Sequence, residues 1–181
     1  MLKQPVFINS IASISALGTT SDEIWNNYLH ENSLFQKFDA NNKQYWVSKF
    51  SEESTQVLQD IMISDSKYKH LDKSVVMAIL VARKCFENSH FSDKNVGINF
   101  GSSRGATTLF EKHHSDFVNE GTVSTFTSPA TTLGNISSWV SHDLQTEGPE
   151  ISHSITCSTG LHALLNGIAW LQSGMSNQFL V

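Results

Sequence analysis

The alternation of apolar and polar positions divides the chain into short strands and amphipathic helices separated by glycine-marked turns. Val6-Phe7-Ile8 is a short apolar run that predicts an opening strand. Leu17-Gly18-Thr19-Thr20-Ser21-Asp22 then reads as a turn and the start of a helix carrying Ile24, Trp25, Tyr28 and Leu29. Leu71, Val75, Ile79, Ala82 and Phe86 recur at helical spacing, the clearest amphipathic stripe in the chain, and lead into Asn95–Gly101, a short apolar strand closed by glycine. The turn Gly101-Ser102-Ser103-Arg104-Gly105 precedes a predicted helix from Ala106 to about Asn119, and Thr125 to Pro129 reads as loop. A further helix is predicted over Leu133–Leu144. After Gly148-Pro149 the pattern gives a strand, Glu150–Thr156, and then a helix with Leu161, Leu164, Leu165, Ile168 and Leu171 on one side. A last apolar strand begins at about Gln178. Alternating strands and helices of this kind predict an α/β fold with a largely parallel sheet. No internal repeat or linker interrupts it, so one compact unit is expected.

The chain closes on Phe179-Leu180-Val181, which reads as the start of a buried strand rather than a loosely held polar tail. The expectation is truncation, or a strand completed by other material.

Composition narrows the function classes. With 181 residues, 39% hydrophobic and 16% charged, the chain has the apolar content of a folded domain. Twelve Lys+Arg against seventeen Asp+Glu give a formal charge of -5, which removes the electrostatic pull toward phosphate that a nonspecific nucleic-acid binder needs. Nucleic acid is not expected as a partner. No apolar run approaches the roughly 20 residues that span a bilayer, and Met1–Ser10 lacks a basic-then-apolar leader pattern, so the expectation is a cytoplasmic protein without a membrane partner. Cys85 and Cys157 are far apart, which offers neither a disulfide nor a metal cluster, and no metal is expected.

Cys157 is the candidate nucleophile. It lies where a predicted strand passes into a helix, and the first amides of a helix are unpaired and point outward. Such a place stabilises a thiolate, and the same amides can bind the oxyanion formed when a thioester is attacked. Ser158 and Thr159 suit a first helical turn. Gly160 is expected to remove a side chain where the helix approaches the sheet or a substrate, and Ala163 and Gly167 extend a path of small residues.

Glu147-Gly148-Pro149, the strand, and Thr156-Cys157-Ser158-Thr159-Gly160-Leu161-His162-Ala163-Leu164 together resemble the active-site block of β-ketoacyl synthases. The similarity extends to Ala16-Leu17-Gly18, the Glu23-Ile24-Trp25 helix, the Val96–Gly105 segment, the Ser128-Pro129 loop with Asn135, and Ser173-Gly174, so it spans essentially the whole chain. The resemblance implies the thiolase-like fold, with residues 1–181 as the N-terminal domain and the C-terminal half lying outside this sequence. It implies that Cys157 takes an acyl group from the phosphopantetheine of acyl carrier protein, that malonyl thioester then loses carbon dioxide and attacks the acyl-enzyme, and that the Cys157 amide is one oxyanion donor. It places the two catalytic histidines, a structural lysine and the second oxyanion donor in the following half, and implies a homodimer or a heterodimer with a ketosynthase-like subunit, with no cofactor of its own. The competing readings are a non-catalytic partner subunit that shapes an acyl tunnel, which would need no thiol at position 157, and an unrelated cysteine hydrolase, for which the sequence places no histidine base.

Other residues carry less. His113 and His114 are expected on an exposed helix face, His153 on the strand before the nucleophile, and His162 as a satisfied near-core histidine. Cys85 reads as structural. Gly101–Gly105 lacks the endings of phosphate-binding loops and points to tight packing near the site. Trp25, Trp46, Trp139 and Trp170 are dispersed, as for core packing.

Overall fold

Residues 4–89, 91 and 94–181 are described by the computed structural model; of the Met1–Ser10 segment read for a leader pattern, Met1–Lys3 lie outside them. In chain order the elements are α1 (Ser21–Leu29), β1 (Phe35–Ala40), β2 (Lys43–Ser48), α2 (Glu52–Ser64), α3 (Lys73–Asn88), β3 (Val96–Gly101), α4 (Thr107–Glu120), α5 (Thr127–Thr131), α6 (Asn135–Leu144), β4 (Glu150–His153), α7 (Thr159–Ser173) and β5 (Gln178–Leu180). Short 3-10 turns at Ser66–Tyr68 and Thr156–Ser158 precede α3 and α7.

The central sheet is parallel, in the order β4-β3-β5, with Gly101 opposite His153 and Ile98 opposite Leu180. As the middle strand, β3 is covered on both faces, and its alternation sorts them. Val96, Ile98 and Phe100 enter the core with Val75, Val76 and Ile79 of α3 and Ile136 and Val140 of α6. Gly97, Asn99 and Gly101 point the other way and leave room for Phe179 and for α7.

Capping fixes the helix starts. Thr20 and Glu23 form a reciprocal capping box at α1. Buried Asp72 accepts from the Ser74 N–H at the head of α3 (2.9 Å) and from the Leu109 N–H in the first turn of α4 (3.1 Å), so one carboxylate sets two helices. Arg83 of α3 holds Asp143 of α6 through two bonds of 2.8 and 2.7 Å, and the Tyr68 hydroxyl donates to the same carboxylate. Burial pushes the Asp143 carboxyl up, but the bonds from Arg83 and Tyr68 outweigh it and hold it below the usual carboxylate value.

Several sequence expectations are corrected. Val6-Phe7-Ile8 forms no strand: it has no pairing partner among the described residues, and Phe7 is 76% exposed. An apolar triplet supplies no ladder without a neighbouring strand. Thr125 to Pro129, read as loop, runs instead into a short helix, Thr127–Thr131, in which the Thr131 hydroxyl donates to the Thr127 carbonyl. β4 stops at His153 rather than Thr156, because the chain must turn to begin α7. On α7 the leucine side is not the packed side: Leu161, Leu164 and Leu165 are exposed, whereas Thr159, Ala163 and Gly167 are buried. The small face of β3 admits only small residues at close range, and that selection overrides hydrophobicity.

Trp25 and Trp46 are exposed, so core packing accounts only for Trp139, which packs near Tyr68, while Trp170 lies half-buried against Phe179. His113 is buried rather than exposed, since α4 turns that face inward. The β1–β2 hairpin and α2 were not legible beforehand. The hairpin turns on Asn41 and Asn42, both at positive φ (52° and 59°), as a tight antiparallel turn requires. Among the described residues no helix is long and apolar enough to cross a membrane.

Candidate functional site

The site begins where β4 ends. From His153 the chain passes through Ser154 and Ile155 into the Thr156–Ser158 turn and then directly into α7. Thr156 has φ 50°, a left-handed conformation that a β-branched residue rarely adopts. Strain of this kind persists only where the surroundings over-determine it. Here they do: the Ile155 N–H donates to Thr159 Oγ1 (2.8 Å), and that hydroxyl donates to the Thr156 carbonyl (2.6 Å). The Ser158 N–H and hydroxyl both donate to the Ile155 carbonyl, at 3.3 and 3.0 Å.

Cys157 sits in this turn with its residue exposed and its thiol free. The turn's own bonds use the amides of Ser158 and Thr159, which donate to Ile155 and Thr156, and not that of Cys157. No side chain caps α7. A thiol at this position can attack an acyl carbonyl, and the Cys157 amide, which the turn's own bonds do not use, can donate to the oxyanion that results.

The floor of the turn is the small face of β3. A Cβ on Gly101 would lie 2.6 Å from Thr159 Cγ2 and 2.9 Å from the Thr159 carbonyl oxygen, so only glycine lets the strand end meet the helix start. The Asn99 side chain, fully buried, donates to the Ala163 carbonyl of α7 (3.0 Å), and its oxygen faces His153 Nδ1 at 3.2 Å. With the Asn99 amide so oriented, Nδ1 is the protonated nitrogen of His153, and the ring becomes a brace between β3 and β4. The Ser102 N–H reaches the His153 carbonyl (3.3 Å) and Ser154 reaches the Ser103 carbonyl (3.2 Å). The Gly101–Gly105 segment thus packs, through Gly101, Ser102 and Ser103, against the chain on either side of the Cys157 turn.

Gly160 is not where α7 meets the sheet: no atom lies within 4 Å of the place its Cβ would take, and the helix approaches the sheet through Thr159 instead. His162 turns Nδ1 back to the Ser158 carbonyl at 3.0 Å and serves the helix. Cys85 lies half-buried against the α3 core, consistent with a structural thiol. Thr159 and Asn99, which organise the turn, were missed as site residues, although the Val-Gly-Ile-Asn-Phe-Gly alternation of β3 was a usable signal for the close approach. Among the described residues no group of His, Cys, Asp or Glu is arranged to hold a metal.

Comparison with known proteins agrees with this geometry. The model of the β-ketoacyl synthase N-terminal domain matches residues 3–181. The chain is 27% identical over 176 residues to 3-oxoacyl-[acyl-carrier-protein] synthase 2 of Vibrio harveyi, covering 90% of this chain and 41% of that protein. It is 26% identical over 172 residues to the protein of the same name from Coxiella burnetii, again covering 41% of it. The chain therefore spans about two-fifths of the length of these relatives. Among solved structures, the ishigamide ketosynthase/chain length factor superposes with a TM-score of 0.70 at 13% identity, over 92% of this chain and 44% of that one. A β-ketoacyl synthase from Burkholderia phymatum superposes at 0.64, also at 13% identity, over 93% and 43%. At such identities the superpositions establish the thiolase-like fold. With the fold and a family match running from residue 3 to residue 181 in agreement, this chain belongs to the β-ketoacyl synthase family and corresponds to its N-terminal domain.

Proposed function

We propose that this chain is the acyl-accepting half of an elongating ketosynthase acting on acyl carrier protein thioesters in fatty-acid or polyketide-type synthesis, with Cys157 as nucleophile. The Cys157 sulfur forms a bond to the acyl carbonyl carbon, the carbon–sulfur bond of the incoming thioester breaks, and the phosphopantetheine thiol leaves with the proton. Malonyl thioester then loses carbon dioxide, its α-carbon attacks the acyl-Cys157 carbonyl, and the Cys157 thiolate is released. The groups that assist decarboxylation are assigned to polypeptide beyond this sequence, and the working assembly to a dimer of ketosynthase-type subunits.

The observation that carries the reading is the exposed thiol of Cys157 in a positive-φ turn at the uncapped head of α7. The same thiol favours an enzyme over a non-catalytic subunit that only shapes an acyl tunnel, since such a subunit needs no nucleophile there. Cys157→Ala in the complete enzyme is expected to abolish acyl transfer and condensation while leaving the urea unfolding midpoint unchanged. Condensation retained in that variant would overturn the assignment.

A further inference from the structure

We infer that Thr159 is the positioning residue of the nucleophile turn: its hydroxyl, bridging the Ile155 N–H and the Thr156 carbonyl, holds Cys157 in place at the head of α7. The inference rests on the assignment of Cys157 as nucleophile and extends it to a residue that touches no substrate. Three observations converge on it. Thr159 is only 3% exposed although it begins a helix beside an exposed turn. Its single hydroxyl makes two bonds, accepting from Ile155 at 2.8 Å and donating to Thr156 at 2.6 Å, so it closes the chain on both sides of the strained residue that precedes Cys157. Its methyl and carbonyl lie against Gly101 at the end of β3, which fixes the hydroxyl relative to the central sheet.

A chain at positive φ on a β-branched residue is poised to relax, and a relaxed turn would carry Cys157 off the helix axis. The Thr159 hydroxyl opposes that relaxation directly. Valine has nearly the same shape and neither bond, while serine keeps both bonds and loses only the methyl. The pair therefore separates hydrogen bonding from packing.

The test uses the protein as its cells make it and two readouts. The first is the rate of iodoacetamide alkylation at Cys157, with Cys85 as internal reference; the second is kcat and KM for acyl transfer from an acyl thioester. Thr159→Val is expected to lower both the Cys157-to-Cys85 alkylation ratio and kcat by about tenfold to a hundredfold, as a misplacement of about 1 Å does, with KM changed by less than about threefold. Thr159→Ser is expected to restore both to within about threefold of the parent. If the valine variant does not fold, Thr159→Ala removes the same bonds without added bulk. A folded valine or alanine variant that matches the parent overturns the inference, and so does a serine variant that falls as far as valine, because packing alone would then explain the effect. If the parent protein takes no acyl group at Cys157, the functional assignment fails, and the alkylation ratio still decides whether Thr159 sets the turn.

Discussion

Replacing Gly101 by alanine should damage the site from behind, through the sheet. The new Cβ would lie 2.6 Å from Thr159 Cγ2 and 2.9 Å from the Thr159 carbonyl oxygen. Carbon atoms pack at about 3.5–4.0 Å, so the head of α7 must retreat by about 1 Å or Thr159 must rotate. Rotation would break the bonds to Ile155 and Thr156, and retreat would move the turn that carries Cys157. Overpacking of this kind costs about 1–3 kcal/mol of stability. A displacement of about 1 Å can cost about a hundredfold in rate. Gly160→Ala is the control, because nothing lies within 4 Å of its Cβ position and the residue is exposed on the helix. Alanine should stabilise that helix by about 0.5–1 kcal/mol. Urea unfolding midpoints and acyl-transfer rates for the two variants, measured side by side, check both halves of the argument. A Gly101→Ala protein as stable and as fast as the parent, or a Gly160→Ala protein equally impaired, would refute the account of how β3 supports the turn.

Thr156→Gly should relieve the left-handed strain and raise stability by about 0.5–1 kcal/mol while slowing acyl transfer, since the turn loses a restraint; paired unfolding and rate measurements test it. Asp143→Asn should destabilise the chain by about 1–3 kcal/mol, below the range for a fully buried pair because Arg83 is partly open to solvent and stays hydrated. The pH dependence follows from the lowered Asp143 value: its contribution is present above the ordinary carboxylate pKa and is lost as pH falls through the folded-state value. Unfolding midpoints between about pH 6 and about pH 3 should therefore slope less steeply in the Asn variant than in the parent.

The parts of the fold that sequence made legible are those written in one dominant signal. The α3 stripe and the apolar β3 strand are periodic and end on residues that suit their ends, and they lie where their pattern puts them. α7 was legible as a helix but not in its orientation, because its leucines outweigh Thr159, Ala163 and Gly167 in any count of hydrophobicity. Packing against Asn99 and Gly101 selects for closeness, which composition does not express. The β1–β2 hairpin escaped notice because its strands are largely exposed and mix aromatic with charged positions, leaving Asn41-Asn42 as the one local signal. At the candidate site, the position of Cys157 just ahead of a helix was legible in the sequence. The support beneath it was not, since the Thr159 hydroxyl acts on backbone groups three and four residues earlier and the Asn99 amide acts across 64 positions of sequence.

The central claim is that Cys157 receives the acyl group, and the most direct measurement is to locate that group. The protein would be incubated with an acyl carrier protein thioester, digested under mildly acidic conditions and mapped by peptide mass, with and without neutral hydroxylamine. The account predicts one hydroxylamine-labile acyl group on the peptide containing Cys157 and none on that containing Cys85. A stable acyl group elsewhere, or an unmodified Cys157 under turnover, would contradict it.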